Sequence, residues 1–398
     1  MKVLELFGGI GACSTALKRV GVDFEIADYV EIDKYAVKSF NAINNTNFEP
    51  QDVKEWDKDL EVDLIMHGSP CQDFSIAGRQ AGGDETSGTR SSLMYETIRI
   101  VEKIKPKYVI WENVKNILSK KHRNNFDNYI SRINELDYKS YYQVLNAKDY
   151  GIPQNRERVF TISIRNDLNQ PFEFPPKQEL KLKLKDLLES EVDEKYYLSD
   201  EIVKKLVPLS NTDNTNVFGN LVMDKWQDRM KRIYSTEKYA PTISTMQCGS
   251  LEPKIMIGAS RGRNPYNPSD RTAGQKTEQR LEINTNGVSN TITTVLKDNY
   301  CIIGSTQKHA SVRNDGVTPT LTSSMGLGGG HVPMHNYNFR IRKLTPKECW
   351  RLMGFNDEDF EKAEKVNSNT QLYKQAGNSI VVNVLESILR NLFNKQGD

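Results

Sequence analysis

Apolar and polar positions alternate with two different rhythms along the chain. Through the first 165 residues, short apolar runs are separated by amphipathic stretches. Lys2–Phe7 (KVLELF) predicts a strand, Gly8, Gly9 and Gly11 follow it, and a helix is predicted from Ala12 to about Val20. A second strand is predicted near Phe24–Val30, with a helix over Asp33–Asn44 behind it. Asp63–His67 predicts a third buried strand, followed by a Gly-rich segment and a helix near Leu93–Lys103. Tyr108–Trp111 predicts a fourth strand, Arg123–Glu135 a helix and Val159–Ile164 another strand. Repeated β-α units of this size predict an α/β fold, a mostly parallel sheet with helices on both faces. Ligands in such folds sit at the carboxyl ends of the strands.

From about Asn169 the rhythm changes. Pro171, Pro175 and Pro176 interrupt regular structure, and Lys177–Lys195 predicts a charged helical connector. Residues 205–335 are rich in Asn, Thr, Ser and Gly and carry a weak repeat: APTIST at Ala240–Thr245, SNTITT at Ser289–Thr294 and TPTLTS at Thr318–Ser323. Unequal spacings of 49 and 29 residues argue against a solenoid. Thr-rich alternation between turns predicts the short strands of a smaller, β-rich second domain. Arg340–Gln396 returns to helix. Thr345 can cap, Pro346 takes the first helical position, Glu348 completes a capping box, and Gly354 can end the helix. An apolar helix over Ile380–Phe393 follows Gly377-Asn378-Ser379 and is expected to pack back on the first sheet. The boundaries so drawn are 1–168, a connector 169–200, 201–335 and a returning segment 336–398.

Composition narrows the class. The 398 residues are 37% hydrophobic and 27% charged, which suits a globular protein. No apolar stretch reaches the roughly 18 residues that a bilayer requires, so no membrane is expected. Glu5 interrupts the opening apolar run, against a signal-peptide pattern. Cys13, Cys71, Cys248, Cys301 and Cys349 lie far apart without a C-x-x-C pair, so neither a metal site nor a disulfide framework is expected, and a reducing cytoplasm is. The net charge of +2 hides an asymmetry: residues 1–100 hold 10 basic against 17 acidic side chains, and residues 201–350 hold 20 against 12. The later region is built to face something anionic, although chance clustering of surface charge is an equal reading of charge alone.

Candidate chemistry gathers at the predicted carboxyl edge. Phe7-Gly8-Gly9-Ile10-Gly11 joins a strand to a helix, where glycines let a ligand approach the backbone and free N–H groups face it. Glu31, 20 residues after Gly11, is placed to accept hydrogen bonds from ribose hydroxyls. Ser14 stands where a dinucleotide fingerprint has its third glycine, which disfavours a nicotinamide cofactor, and a ligand-free tight turn is the plain alternative. Gly68-Ser69-Pro70-Cys71-Gln72 follows the third strand and sets Cys71 at the same edge, although lone cysteines are more often buried and inert. The following polar segment with Gly78, Gly82, Gly83 and Gly88 reads as a mobile lid. Glu112 ends the fourth strand. Arg156 and Arg158, two apart on an extended segment, point the same way and could hold a carboxylate such as Glu112 or a ligand oxygen. Surface charge is the plain alternative for these three.

Taken together and in this order, these elements resemble the DNA (cytosine-5) methyltransferases of bacterial or phage restriction-modification type. The resemblance runs from Lys2 to about Arg165 and from Arg340 to about Leu385, through Ser69-Pro70-Cys71-Gln72, Glu112-Asn113-Val114, Gln154-x-Arg156-x-Arg158 and Gly377-Asn378-Ser379. It implies a Rossmann-like S-adenosylmethionine-dependent methyltransferase fold, with 1–168 catalytic and cofactor-binding, 201–335 a target-recognition domain, and 336–398 returning to the catalytic domain.

It also implies roles. Carbon 5 of cytosine is too weakly nucleophilic to attack a sulfonium methyl, and a thiolate added at carbon 6 gives the ring enamine character. Cys71 would be that thiol. Glu112 would protonate or hydrogen-bond ring nitrogen N3, Arg158 would hold O2, and Arg156, Asn113 and Gln72 would order the site. S-adenosylmethionine would lie against Phe7, Gly9 and Gly11, with Glu31 on the ribose, Ile32 on adenine, Asp52 on its amino group, and Val53, Pro70, Leu93, Asn378 and Ser379 completing the wall. Family members often carry an aromatic where Ile32 stands. A paired cytosine must leave the duplex, at a cost of a few kcal/mol, for this chemistry to reach it.

Candidate DNA contacts are Ser75, Arg79, Arg261, Arg263, Arg271, Gln275 and Arg313. The expected partners are double-stranded DNA and a cognate restriction endonuclease, for a monomer in a prokaryotic or phage-infected cytoplasm. Three rivals stand beside this reading. A tRNA cytosine-5 methyltransferase would carry a shorter variable region. A catalytically silent, methyltransferase-like regulator would typically lack Cys71 or Glu112. A nicotinamide-dependent dehydrogenase would need no Pro-Cys-Gln.

Overall fold

The computed structural model of the chain describes residues 1–70, 90–199, 206–208, 217–221, 232–234, 236, 238–243, 253–257, 259–263, 278–282 and 340–393. Six strands form the first sheet: β1 (Lys2–Leu6), β2 (Glu25–Val30), β3 (Leu64–His67), β4 (Tyr108–Val114), β5 (Tyr138–Asn146) and β6 (Glu157–Arg165). Their order is β2-β1-β3-β4-β6-β5. The first four are mutually parallel, and β6 runs antiparallel to both β4 and β5. This is the α/β fold with a mostly parallel sheet that the sequence predicts. β5 is an addition, and its reason is visible: as an edge strand it is half solvated, so its polar positions mask the strand signal.

Helices α1 (Ala12–Val20), α2 (Lys34–Asn44), α3 (Met94–Ile104) and α4 (Arg123–Glu135) connect these strands. Side chains alternate across a strand, so Leu4 and Leu6 face one side and Glu5 the other. On the Leu4/Leu6 side, Ile65, Val109 and Trp111 join Met94, Ile98 and Val101 of α3 and Phe126, Tyr129 and Ile133 of α4 in one buried cluster. On the other side α1 lies against Glu5 through Ser14. Burial of each such aliphatic side chain is worth about 1.5–3 kcal/mol, so this cluster fixes which edge the loops share.

Four later helices belong to the same compact unit: α5 (Pro346–Arg351), α6 (Asp357–Glu364), α7 (Asn369–Asn378) and α8 (Val382–Phe393). α5 begins at Pro346 as its capping sequence predicts, and the chain turns out of it at Gly354 (φ 83°). α8 buries Val382, Leu385, Ile388, Leu389 and Leu392 and packs on α1, while its Phe393 meets Tyr108 of β4 edge-on at 5.3 Å. The unit comprises residues 1–182, 241–247 and 346–398, so the first repeat of the Thr-rich region falls largely in it.

The second unit, 183–240 and 248–345, holds a five-stranded sheet ordered β13-β10-β9-β8-β7. Its strands are β7 (Leu206–Pro208), β8 (Val217–Leu221), β9 (Arg232–Tyr234), β10 (Lys254–Ile257) and β13 (Arg340–Lys343). A separate two-stranded ribbon pairs β11 (Ala259–Arg263) with β12 (Glu278–Glu282). Lys177–Lys195, predicted helical, is not: it holds only single turns at Leu184–Leu187 and Glu194–Tyr196. The N–H groups of Leu184 and Lys185 donate to the carbonyls of Lys238 and Thr236, which draws the segment out of helix.

The start of α1 makes a demand of both conformation and space. Gly11 starts α1 at φ 82°, and a Cβ there would stand 2.9 Å from the Phe40 ring. A left-handed conformation costs an L-residue roughly 1–2 kcal/mol before any clash. Gly11→Ala is expected to lower the unfolding free energy by about 2 kcal/mol or more, read as a lower urea midpoint with unchanged slope. An unchanged midpoint would contradict the assignment.

Candidate active site

The loop after β1 is held open by its surroundings. Phe7 and Gly9 both take positive φ, at 53° and 55°. Tyr29 of β2 covers Gly8, where a Cβ would meet its ring at 2.7 Å, and the Tyr29 hydroxyl donates to the Gly9 carbonyl at 2.6 Å. Gly9 itself faces open space, with no atom within 4 Å of a Cβ built there. Its N–H donates to Glu31 Oε2 at 3.2 Å, and the N–H of Asp33 donates to Oε1 at 2.8 Å. Burial pushes the Glu31 carboxyl up, and these two N–H groups pull it partly back. Beside it Ile32 is 68% exposed, an aliphatic surface left bare at the loop.

The strip that carries Asp52 and Val53 is fastened by residues that sequence reasoning missed. Gln51 donates to Asp28 Oδ1 and the Tyr29 carbonyl, and Trp56 Nε1 donates to Asp28 Oδ2 at 2.7 Å. Arg99 of α3 donates to the carbonyls of Val53 and Trp56, at 3.0 Å each. Asp52 accepts from the Lys54 N–H, Val53 is buried, and Leu93 packs against the core. No spacing rule marks these bonds in one sequence, because Asp28 gathers the side chains of Gln51, Trp56 and Lys58 from 23 to 30 positions away and Arg99 reaches main-chain carbonyls more than 40 positions away.

Glu5 also escapes a reading of the sequence. It is 2% exposed and accepts from the N–H of Ser14 at 3.0 Å and from the Ser14 hydroxyl. The residue that replaces a third glycine is thus the partner of a buried acid. Burial pushes the Glu5 carboxyl up to about 7, against the lowering bonds from Ser14 and the Lys18 charge.

At the far side of the edge, Glu112 lies two residues from the end of β4. Val114 pairs with Arg158 in the β4–β6 register, so Glu112 and Arg158 are diagonal neighbours on one face. Antiparallel β6 begins where parallel β4 ends, which brings an arginine from 46 positions away to the carboxylate. Arg158 Nε stands 3.1 Å from Glu112 Oε1, within ion-pair distance. Its N–H is not aligned on that oxygen, which has no hydrogen bond among the described residues. Burial pushes the Glu112 carboxyl up, opposed by the Arg158 and Arg156 charges, and the net direction is upward. A Cβ on Gly68 would lie 3.8 Å from Glu112 Oε2 and 3.5 Å from Ile380 Cδ1. The strand end that leads into Pro70 and Cys71 therefore starts beside the carboxyl. Trp111 Nε1 donates to Ser69 Oγ at 3.0 Å and fixes that exit.

The arginines separate in role. Arg156, 4% exposed, donates to the carbonyls of Ile243 (3.0 Å), Gly377 (3.2 Å) and Ser379 (2.8 Å). Gln154 alongside donates to the Leu352 carbonyl at 2.7 Å. Together they fix the returning segment, with buried Ser379 and exposed Asn378, to the first sheet. Asn113 faces the opposite side of β4 from Glu112, and its Oδ1 accepts from the Val114 N–H. His67, fully buried, is bonded to Tyr129 at 2.8 Å, and burial pushes its imidazole down to about 3. It is a neutral packing group. Pro70 is partly exposed at the exit of β3. Cys71, Gln72, Ser75, Arg79, Arg271, Gln275 and Arg313 lie outside the described residues, and of Arg261 and Arg263 only the strand backbone is described. Among the described residues no group of His, Cys, Asp and Glu is placed to hold a metal, and no helix is long and apolar enough to cross a membrane.

A glycine loop beside the acid Glu31 on one half of the sheet edge, and buried Glu112 beside Arg158 on the other, place the candidate site at the strand ends of an α/β fold. A family model for C-5 cytosine-specific DNA methylases matches residues 1–394. The orphan methyltransferase M.SPRI of Bacillus phage SPR is 34% identical, covering 98% of this chain and 97% of that protein. The type II methyltransferase M.HhaI of Haemophilus parahaemolyticus is 31% identical, covering 98% and 94%. Among solved structures, the Entamoeba histolytica methyltransferase EhMeth shares the fold with a TM-score of 0.61, at 15% identity over 100% of this chain and 99% of that one. The chain belongs to the C-5 cytosine-specific DNA methylase family, and is a DNA cytosine-5 methyltransferase.

Glu5 gives a testable titration. Its folded carboxyl titrates at about 7 and its unfolded one near the ordinary 4.5, so the folded state holds the extra proton between those values. The contribution is complete below the unfolded value and is lost as pH rises through the folded one, on the order of 3 kcal/mol in all. Glu5→Gln is expected to flatten the fall in urea midpoint between about pH 5 and about pH 8. An equally steep fall in the variant would remove Glu5 as its source.

Proposed function

We propose that the chain transfers a methyl group from S-adenosylmethionine to carbon 5 of a cytosine turned out of a specific duplex DNA site, through a covalent bond to Cys71. The observation that carries this is Glu112: a buried carboxyl pushed upward, beside an arginine and next to the strand end that leads to Cys71.

The Cys71 thiolate adds to carbon 6 of the base. Glu112, kept protonated by its burial, donates to N3 and takes up the charge that the addition creates. Arg158 holds O2 while its charge keeps the carboxyl from titrating too high. Carbon 5 then takes the methyl group and loses its proton to water, the sulfur leaves carbon 6 as the Cys71 thiolate, and N3 returns its proton to Glu112. Arg156, bonded to three carbonyls, orders the segment around this chemistry without reaching Glu112. Asn113 and Gln72 complete the support.

The residues present fit an adenosyl cofactor. Gly9 leaves the cradle that a side chain would fill, Glu31 lies at its rim, and the bare face of Ile32 suits adenine. Phe7, Gly11, Asp52, Val53, Pro70, Leu93, Asn378 and Ser379 would form the remaining wall. When bound, the cofactor supplies a methyl group on an electrophilic sulfonium. The acidic first 100 residues favour that cation, and the basic region from 201 to 350 favours DNA phosphates.

The second unit is the target-recognition domain in this reading, with Ser75, Arg79, Arg261, Arg263, Arg271, Gln275 and Arg313 toward DNA. In this reading the protein works as a monomer in a prokaryotic or phage-infected cytoplasm. The type II relative M.HhaI supports a cognate restriction endonuclease as its partner, whereas the relative M.SPRI is named an orphan methyltransferase and supports a phage enzyme without one.

Cys71→Ser is expected to abolish transfer while DNA binding persists, and DNA carrying 5-fluorocytosine should trap an adduct at Cys71, visible by mass spectrometry. Full turnover in the variant, or no adduct, would exclude the covalent route. Glu112→Gln is expected to slow transfer by about 10²–10⁴. Because the acid must be protonated, wild-type turnover should fall as pH rises through the raised Glu112 value, and that limb should vanish in Glu112→Gln. A limb that persists in the variant would assign it to another group.

A further inference from the structure

The strand that carries Glu112 runs directly into a basic rim. From Lys115 to Phe126 the sequence holds Lys115, Lys120, Lys121 and Arg123 and no acid. Lys115 opens the turn Lys115–Leu118 immediately after β4, and Lys115, Lys120 and Lys121 are all exposed. Arg123 is engaged elsewhere: it donates to both oxygens of Asp127, at 2.8 and 3.0 Å, and to the Tyr142 hydroxyl. Lys115 has a different kind of partner. Its Nζ lies 3.1 and 3.0 Å from the two oxygens of Glu157, the first residue of β6. Both side chains stay near half exposed, at 55% and 46%. The next residue, Arg158, turns inward to Glu112. One buried and one exposed acid–base pair thus lie side by side at the same strand ends.

We infer that Lys115, Lys120 and Lys121 contact the phosphates of the DNA strand whose cytosine enters the Glu112 site, and that Glu157 occupies Lys115 in place of a phosphate until DNA arrives. The inference rests on the proposed role of Glu112, since only then does the strand pass this rim. A base held at Glu112 leaves its own backbone just outside, where the chain presents these cations. Two carboxylate oxygens around one ammonium mimic a phosphate's non-bridging oxygens. An exposed pair of this kind is worth at most about a fivefold factor in equilibrium, so exchange for a phosphate is cheap. Lysines on flexible stems suit charge neutralisation and not base reading, so this surface adds affinity without sequence preference. Glu157 then acts against DNA binding, which a purely structural ion pair would not do.

The test is fluorescence anisotropy of the full chain with a random-sequence duplex across a salt series. Replacing Lys115, Lys120 and Lys121 together by Gln should reduce the magnitude of the slope of log affinity against log salt by about 1 for each phosphate no longer neutralised. Glu157→Gln should tighten binding by about two- to fivefold. S-adenosylmethionine affinity should stay at the wild-type value in both. A triple variant with the wild-type slope, or a Glu157→Gln variant that binds no tighter, would overturn the inference. Should the triple variant lose its fold, Glu157→Gln decides alone. Failure of the Glu112 reading shows separately, as unimpaired methylation by Glu112→Gln, whatever the salt slope does.

Discussion

The guanidinium of Arg156 joins two stretches of backbone through three carbonyls, 87, 221 and 223 positions away in sequence, and the candidate site lies beside the place where they meet. A guanidinium has five donors, no acceptor and a fixed planar fork, so it can satisfy several carbonyls at once in a single orientation. Each carbonyl left unpaired in a buried place costs about 1–3 kcal/mol. The returning segment is therefore not free to settle elsewhere: Ser379 takes its place because its carbonyl has one donor available. Gln154, two residues earlier, repeats the device on the Leu352 carbonyl. A short motif entering β6 thus does two jobs, clasping the C-terminal chain with Gln154 and Arg156 and setting Arg158 beside Glu112.

A second constraint is electrostatic. Glu5, Glu31 and Glu112 all belong to the first sheet and its loops, and burial raises all three carboxyls. Their partners differ and so do the consequences. Glu5 is bonded to Ser14 on α1 and links β1 to the helix that follows the glycine loop. Glu31 is bonded by two main-chain N–H groups, which orient it without neutralising it. Glu112 has a cation nearby that is poorly aligned with its oxygen, and this leaves the carboxyl able to hold a proton. The same residue type sits in three different settings, bonded to a hydroxyl and an amide at Glu5, to amides at Glu31 and beside a guanidinium at Glu112.

Much of this was readable in the residue pattern, for physical reasons. Strands β1, β3 and β4 are buried on both faces, so they stand out as continuous apolar runs, and the helices between them have a clear 3.6-residue period. Strand-end position then points to Glu31 and Glu112, and the extended spacing of Arg156 and Arg158 to a carboxylate partner. The spacing rule fails at the next step. Two side chains that point the same way need not reach the same group, and only Arg158 meets Glu112. Half-solvated β5, and the run from Lys177 to Lys195 whose N–H groups find carbonyls at 236 and 238, lack a local signal for what they do.

The sequence by itself determined the α/β class, the parallel strands with the helices between them and the edge where the candidate residues collect, because these follow from local periodicity and from side-chain chemistry. Tertiary structure alone decided which of those residues meet. Antiparallel entry of β6 brought Arg158 beside Glu112, three carbonyls from two distant segments claimed Arg156, and the Asp28 and Arg99 bonds fixed the strip that bears Asp52. Each depends on hydrogen-bonding groups brought together across dozens to hundreds of residues, and no window of sequence contains both partners.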